Sequence, residues 1–131
     1  MKVNHIGYLV ENIEEGIQEF LKLGYFKLGE VIKDQDRKIY ICFLKNEDTV
    51  VELVSPIDET SVVYEMHKKF RNMPYHICYE AEDLEATMRE YRKQGFIIVQ
   101  PVAPAIAFDN RKVVFLFNKS IGLIEIVEKI I

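Results

Sequence analysis

The stretch Pro74-Tyr75-His76-Ile77-Cys78-Tyr79 restates the opening of the chain, Val3-Asn4-His5-Ile6-Gly7-Tyr8. His-Ile-x-Tyr therefore occurs twice, with His5 and His76 71 residues apart. The residues downstream of each histidine keep that register. Asn12-Ile13-Glu14 is matched by Asp83-Leu84-Glu85, Glu19-Phe20 by Glu90-Tyr91, and Gly24-Tyr25 by Gly95-Phe96. Further on, Arg37-Lys38-Ile39 returns as Arg111-Lys112-Val113, and Val51-Glu52-Leu53 as Ile124-Glu125-Ile126. Glu52 and Glu125 stand 73 residues apart, so only a small net insertion separates the copies. Self-similarity at a fixed period marks an internal duplication, and both fold and site are expected to be built on it.

At 131 residues the chain is expected to form one domain, residues 1–131, made of two tandem modules (3–54 and 74–128) joined by a linker, 55–73. Half of that length would be marginal alone, so the copies are expected to fold as one pseudo-symmetric unit. A hydrophobic fraction of 49% beside 29% charged residues is that of an ordinary globular protein. A net charge of −4 argues against a nucleic-acid surface, which needs clustered Lys and Arg. No apolar run approaches a membrane span, and the opening residues lack the form of a signal peptide. Cys42 and Cys78 make neither a metal spacing nor a disulfide framework, and read as small core residues. A cytoplasmic location is expected.

The periodicities give each copy the order βαβββ. In the first, residues 3–10 read as a buried strand, and Asn12 with Glu15 as a helix start. Ile13, Ile17, Phe20 and Leu21 supply the helical stripe, and Gly24 ends it. Strands are expected at 27–32, 39–44 and 49–54, the last two joined by Asn46-Glu47-Asp48. In the linker, Val62, Met66 and Phe70 fit one face of a short helix, whose His67 reads as a surface residue beside Lys68 and Lys69. The second copy gives a strand at 75–80, an Asp83 cap, a helix over 84–94 and a strand at 96–100. Pro101 and Pro104 frame an irregular segment through Asn110, and strands at 112–117 and 123–127 finish the chain. Arg37 and Arg111, matched across the copies, read equally well as substrate contacts or strand-end charges.

Four residues stand out by register: His5, Glu52, His76 and Glu125. Each histidine is on the first strand of its copy and each glutamate on the last. A carboxylate between aliphatic neighbours costs several kcal/mol if it is buried without a partner. Taken singly, such a glutamate is more often solvent-facing and such a histidine more often a packed core residue. If the copies are related by a pseudo-two-fold axis, two imidazoles and two carboxylates converge, a donor set suited to Zn, Ni, Co or Mn.

At these residues the chain resembles the vicinal-oxygen-chelate superfamily, also called the glyoxalase/bleomycin-resistance/dioxygenase family. The resemblance runs from Val3 to Glu128 and implies an α+β fold of paired βαβββ modules closing a cup around a divalent metal. It places the metal ligands at His5, Glu52, His76 and Glu125. Within the superfamily the layout is similar to the methylmalonyl-CoA epimerases, through Glu52-Leu53-Val54-Ser55-Pro56 with Ser61, His76-Ile77-Cys78-Tyr79-Glu80 and Ile124-Glu125-Ile126-Val127-Glu128. The runner-up is glyoxalase I (lactoylglutathione lyase), whose turn before the last strand differs from Asn118-Lys119-Ser120-Ile121-Gly122. Both reactions move a proton on a carbon next to a carbonyl. The resemblance thus implies a metal-dependent isomerase or lyase acting on an acyl-CoA thioester or a hemithioacetal, and a homodimer. Glu125 is the expected base, and Glu52 or Asp36 the acid/base on the opposite face. Two rivals come from other classes. A metal-free binding cup of the bleomycin-resistance type would not need the four ligands, and an iron dioxygenase would need only three.

Overall fold

In a computed structural model of the chain, residues 1–129 are described; the last two residues of the expected domain, 130 and 131, lie outside them. The chain divides into two compact units, one spanning His5–Tyr75 and the other combining Met1–Asn4 with the chain from His76 on.

The His5–Tyr75 unit contains most of β1 (Lys2–Leu9), then α1 (Ile13–Lys22), β2 (Phe26–Lys27), β3 (Ile32–Asp34), β4 (Ile39–Asn46), β5 (Thr49–Pro56) and α2 (Tyr64–Phe70). Its strands pair in the order β2-β4-β5-β1, with β3 also on β4. β4 and β5 form an antiparallel hairpin, whereas β1 lies parallel to β5 in the register Ile6 to Val51. The expected cap is present, because the Asn12 side chain accepts from the Glu15 backbone N–H at 3.0 Å. Ile13 and Ile17 are buried against Val10, Cys42, Leu44 and Leu53, and each full burial of this kind is worth roughly 1.5–3 kcal/mol. Phe20 bridges Tyr8 and Tyr25 edge-to-face, at 5.1 Å in both cases. Leu21, expected in the same stripe, is exposed instead.

The expected strand over 27–32 is two short pieces. Lys27 pairs with Leu44 and Ile32 with Ile41, so this edge spends two more residues than β4 between those points, with Gly29 among them. The extra length breaks the ladder into β2 and β3. His67 is also corrected: it is buried on α2, its Nε2 lying 2.8 Å from Asn72 Oδ1. That oxygen also accepts from the Glu11 backbone N–H at 2.9 Å. Of the apolar residues expected on one face of the linker helix, Phe70 and, just before the helix, Val62 are exposed.

The second unit contains most of β6 (Met73–Ala81), then α3 (Leu84–Lys93), β7 (Ile97–Ala105), β8 (Arg111–Asn118) and β9 (Gly122–Glu128), with β6 parallel to β9 and the strand order β6-β9-β8-β7. Asp83 caps α3 by accepting from the Ala86 N–H at 3.0 Å. Leu84 is buried with Ala81, Val114, Leu116, Ile124 and Ile126, and Met88 and Tyr91 pack on that cluster as expected. The segment expected to be irregular after Gln100 is strand through Ala105, followed by a tight turn over Ile106–Phe108. β7 is an edge strand with register shifts between Ile98 and Gln100 and between Gln100 and Ala103. At an edge with bulges, prolines without an N–H are tolerated.

Helices segregated beside a mixed parallel and antiparallel sheet make this an α+β fold. Among the described residues, no helix is long and apolar enough to cross a membrane.

Candidate functional site

Pleating decides which side chains meet. Glu52 on β5 lies directly across from Gly7 on β1, and His5, two residues before Gly7, shares its face of the strand. The diagonal offset brings His5 Nε2 to 3.4 Å from Glu52 Oε1. The second unit repeats this arrangement. Glu125 on β9 faces Cys78 on β6, His76 is again two residues earlier, and its Nε2 stands 3.2 Å from Glu125 Oε1. All four residues are buried, between 1% and 6% exposed. The solvent-facing alternative for the two glutamates is thereby excluded. Inside each unit the histidine and the carboxylate share one small buried polar spot.

The chemistry of the pairs is that of metal ligands. Imidazole nitrogen and carboxylate oxygen together suit borderline and hard first-row divalent ions. Each side chain is held on a strand rather than a loop.

Asp36 is placed differently. It is exposed on the turn between β3 and β4, with its backbone N–H donating to Asp34 Oδ1 at 3.1 Å. The buried carboxylate of that turn is Asp34, which sequence reasoning passed over. Asp34 accepts from the Arg37 backbone at 3.1 Å and from its Nη1 at 3.0 Å. Arg111, the counterpart of Arg37, donates from Nε to the Phe108 carbonyl at 3.3 Å and from Nη1 to the Glu128 carbonyl at 3.1 Å. Both arginines therefore serve strand ends. Cys42 and Cys78 are both buried, as expected of small core residues. A groove of about 550 Å³ along α1 is lined by Glu11, Glu14, Glu15 and Glu19. Its charge disfavours an anionic ligand.

Sequence reasoning also missed Phe43 and Phe115, whose rings lie against His5 and His76. The duplication held the signal, since the two phenylalanines are 72 residues apart in the same frame.

Known proteins share this fold. The family model of the Glyoxalase/Bleomycin resistance protein/Dioxygenase superfamily matches residues 4–115, and the chain belongs to that superfamily. The chain is similar to the mitochondrial methylmalonyl-CoA epimerase of Dictyostelium discoideum, 26% identical over 131 residues, covering 98% of this chain and 78% of that protein. It is 24% identical over 119 residues to the ethylmalonyl-CoA/methylmalonyl-CoA epimerase of Cereibacter sphaeroides, covering 90% and 89% of the two chains. The crystal structure of methylmalonyl-CoA epimerase from Mycobacterium tuberculosis superposes with a TM-score of 0.85 at 25% identity, over 99% of this chain and 89% of that one.

Proposed function

We propose that the protein is a divalent-metal-dependent epimerase acting on the acidic carbon of a malonyl-type CoA thioester, in the manner of methylmalonyl-CoA epimerase. One observation carries the reading: each unit buries a His–Glu pair of ligand type at the same register, His5 with Glu52 and His76 with Glu125. The names of the relatives supply the substrate class. In this reading His5, Glu52, His76 and Glu125 together hold one Zn, Ni, Co or Mn ion. When bound, such an ion supplies Lewis acidity, stabilising negative charge on the thioester oxygen by several kcal/mol.

The remaining steps belong to the chain. A Glu125 carboxylate oxygen takes the proton from the carbon between the two carbonyl groups, leaving the enolate of the thioester. Inversion requires a proton returned to the opposite face, and we assign that role to Glu52, with Asp36 as the other candidate. The carbon acid is weak, so the base must lie within hydrogen-bond reach of the C–H bond. Burial of both glutamates keeps competing water from the enolate. Two cysteines kept as thiols suit a reducing compartment such as the cytoplasm.

The test tracks the α-proton of methylmalonyl-CoA by NMR in D₂O, with chelated protein and with protein reloaded with Co, Ni, Mn or Zn. Exchange and loss of optical activity should appear on reloading. A reloaded protein that leaves methylmalonyl-CoA untouched but isomerises a methylglyoxal–thiol adduct would replace this reading with the glyoxalase one.

A further inference from the structure

Each histidine of the two His–Glu pairs meets a phenylalanine, and strand register explains why. Phe43 on β4 stands directly across from Glu52, and Phe115 on β8 directly across from Glu125. The glutamate is therefore the middle residue of a row, with a phenylalanine on one flank and the histidine strand on the other. Each imidazole, one pleat away, reaches diagonally past its glutamate to the ring beyond, a span that aromatic side chains can bridge. His5 and Phe43 have centroids 5.6 Å apart at 76°, and His76 and Phe115 have centroids 5.2 Å apart at 84°. Edge-to-face contact is an arrangement that the ring quadrupoles favour.

An imidazole on a strand has a broad, roughly two-fold torsion about its Cβ–Cγ bond. Backbone position alone does not fix the plane of the ring. An edge-to-face neighbour does fix that plane, because tilting the imidazole out of it breaks the contact. The structure carries that edge-to-face contact twice, on both histidines, with Nε2 facing the glutamate in each unit. We infer that Phe43 and Phe115 are positioning residues, each fixing the plane of one imidazole so that Nε2 is presented to the cation. The inference rests on the metal-binding reading proposed above. It assigns the two rings a task beyond apolar filling: presetting ligand orientation in the metal-free protein, as outer-shell partners do for metal-bound histidines.

Aromatic pairs elsewhere provide the control. Tyr91 and Phe96 form an edge-to-face pair at 5.1 Å in the core, as Phe20 and Tyr25 do in the first unit. Phe96→Leu removes such a pair without touching a His–Glu pair. The experiment compares wild type with Phe43→Leu, Phe115→Leu, the ring-retaining Phe43→Tyr and Phe115→Tyr, and Phe96→Leu.

Imidazole ¹⁵N signals are recorded in the metal-free proteins, with His67, held by Asn72, as internal reference. Cobalt(II) binding is then titrated by visible absorption. Phe43→Leu should broaden or average the His5 signals alone, and Phe115→Leu those of His76 alone. Each leucine variant should bind cobalt about three- to tenfold more weakly with a shifted spectrum, the scale of one aromatic pair. Tyrosine should restore both readouts, and Phe96→Leu should lose stability while keeping the wild-type spectrum and affinity. Cobalt uptake by wild type with unchanged imidazole signals and affinity in both leucine variants overturns this inference alone. A wild-type protein that takes up no cobalt overturns the metal reading and this inference together.

Discussion

A glutamate in mid-strand between two aliphatic residues either faces water or needs a partner, and here both such glutamates are buried beside an imidazole. If Glu125 is the base, Glu125→Gln should lower kcat for α-proton exchange on the order of 10²-fold or more, with a smaller change in KM. Equal activity would remove Glu125 from the mechanism. Cys42 offers a pH test. Burial, chiefly, pushes its thiol up from the ordinary value; Lys27 pulls it back, and Glu14 and Glu30 push it further. The folded protein therefore keeps this proton longer than the unfolded chain does. That contribution is intact below the unfolded thiol value of about 8.5 and is lost as pH rises from there through the raised folded value. Denaturation midpoints should fall between pH 8 and 10 in wild type, and fall less in Cys42→Ala measured against its own neutral midpoint. At this scale the sequence spoke where two copies agreed. His5, Glu52, His76 and Glu125 repeat, whereas His67 and Asp34 do not. Their burial depends on contacts with Asn72 and Arg37 that no periodicity announces.

Helix ends were legible because their chemistry is local. Asn12 and Asp83 each bond the N–H three residues on. Asn12→Ala and Asp83→Ala should each cost about 1 kcal/mol in urea denaturation. Gly24 and Gly95, just past the two helices, have φ of +96° and +95°, a conformation disfavoured for a residue with a Cβ. Alanine at either should cost about 1–2 kcal/mol, and a neutral result would show that the turn relaxes. Strand boundaries were less legible because pairing decides them. Prolines at 101 and 104 read as an interruption, yet β7 runs through both since its edge position and bulges spare the missing donors. The break between β2 and β3 likewise comes from counting residues against β4, which a single strand's sequence does not contain.

For the whole molecule, the duplication gives a stoichiometric prediction. If two pairs serve one ion, the loaded protein holds one metal per chain by mass spectrometry, and His5→Ala or His76→Ala removes it. Two ions per chain would mean that each unit binds its own. At a free metal concentration 100 times Kd, chelation should lower stability by about 2.7 kcal/mol, read as a drop in Tm. The repeat, the element order and the residues of the two His–Glu pairs were readable in the chain because duplication prints each twice; the partner of each strand was not. In both units the first strand lies parallel to the last, Ile6 beside Val51 and Ile77 beside Ile124. Parallel neighbours cannot form by a local turn. The hairpins β4–β5 and β8–β9 can close within microseconds, but each histidine strand must arrive from more than forty residues away, a non-local closure that sets the pace of folding. Histidine and glutamate are thus expected to become neighbours late, after the hairpins have closed. During refolding with cobalt present, the visible absorption of the metal should lag the far-ultraviolet signal of the hairpins, so the ion reports the finished unit and no earlier species.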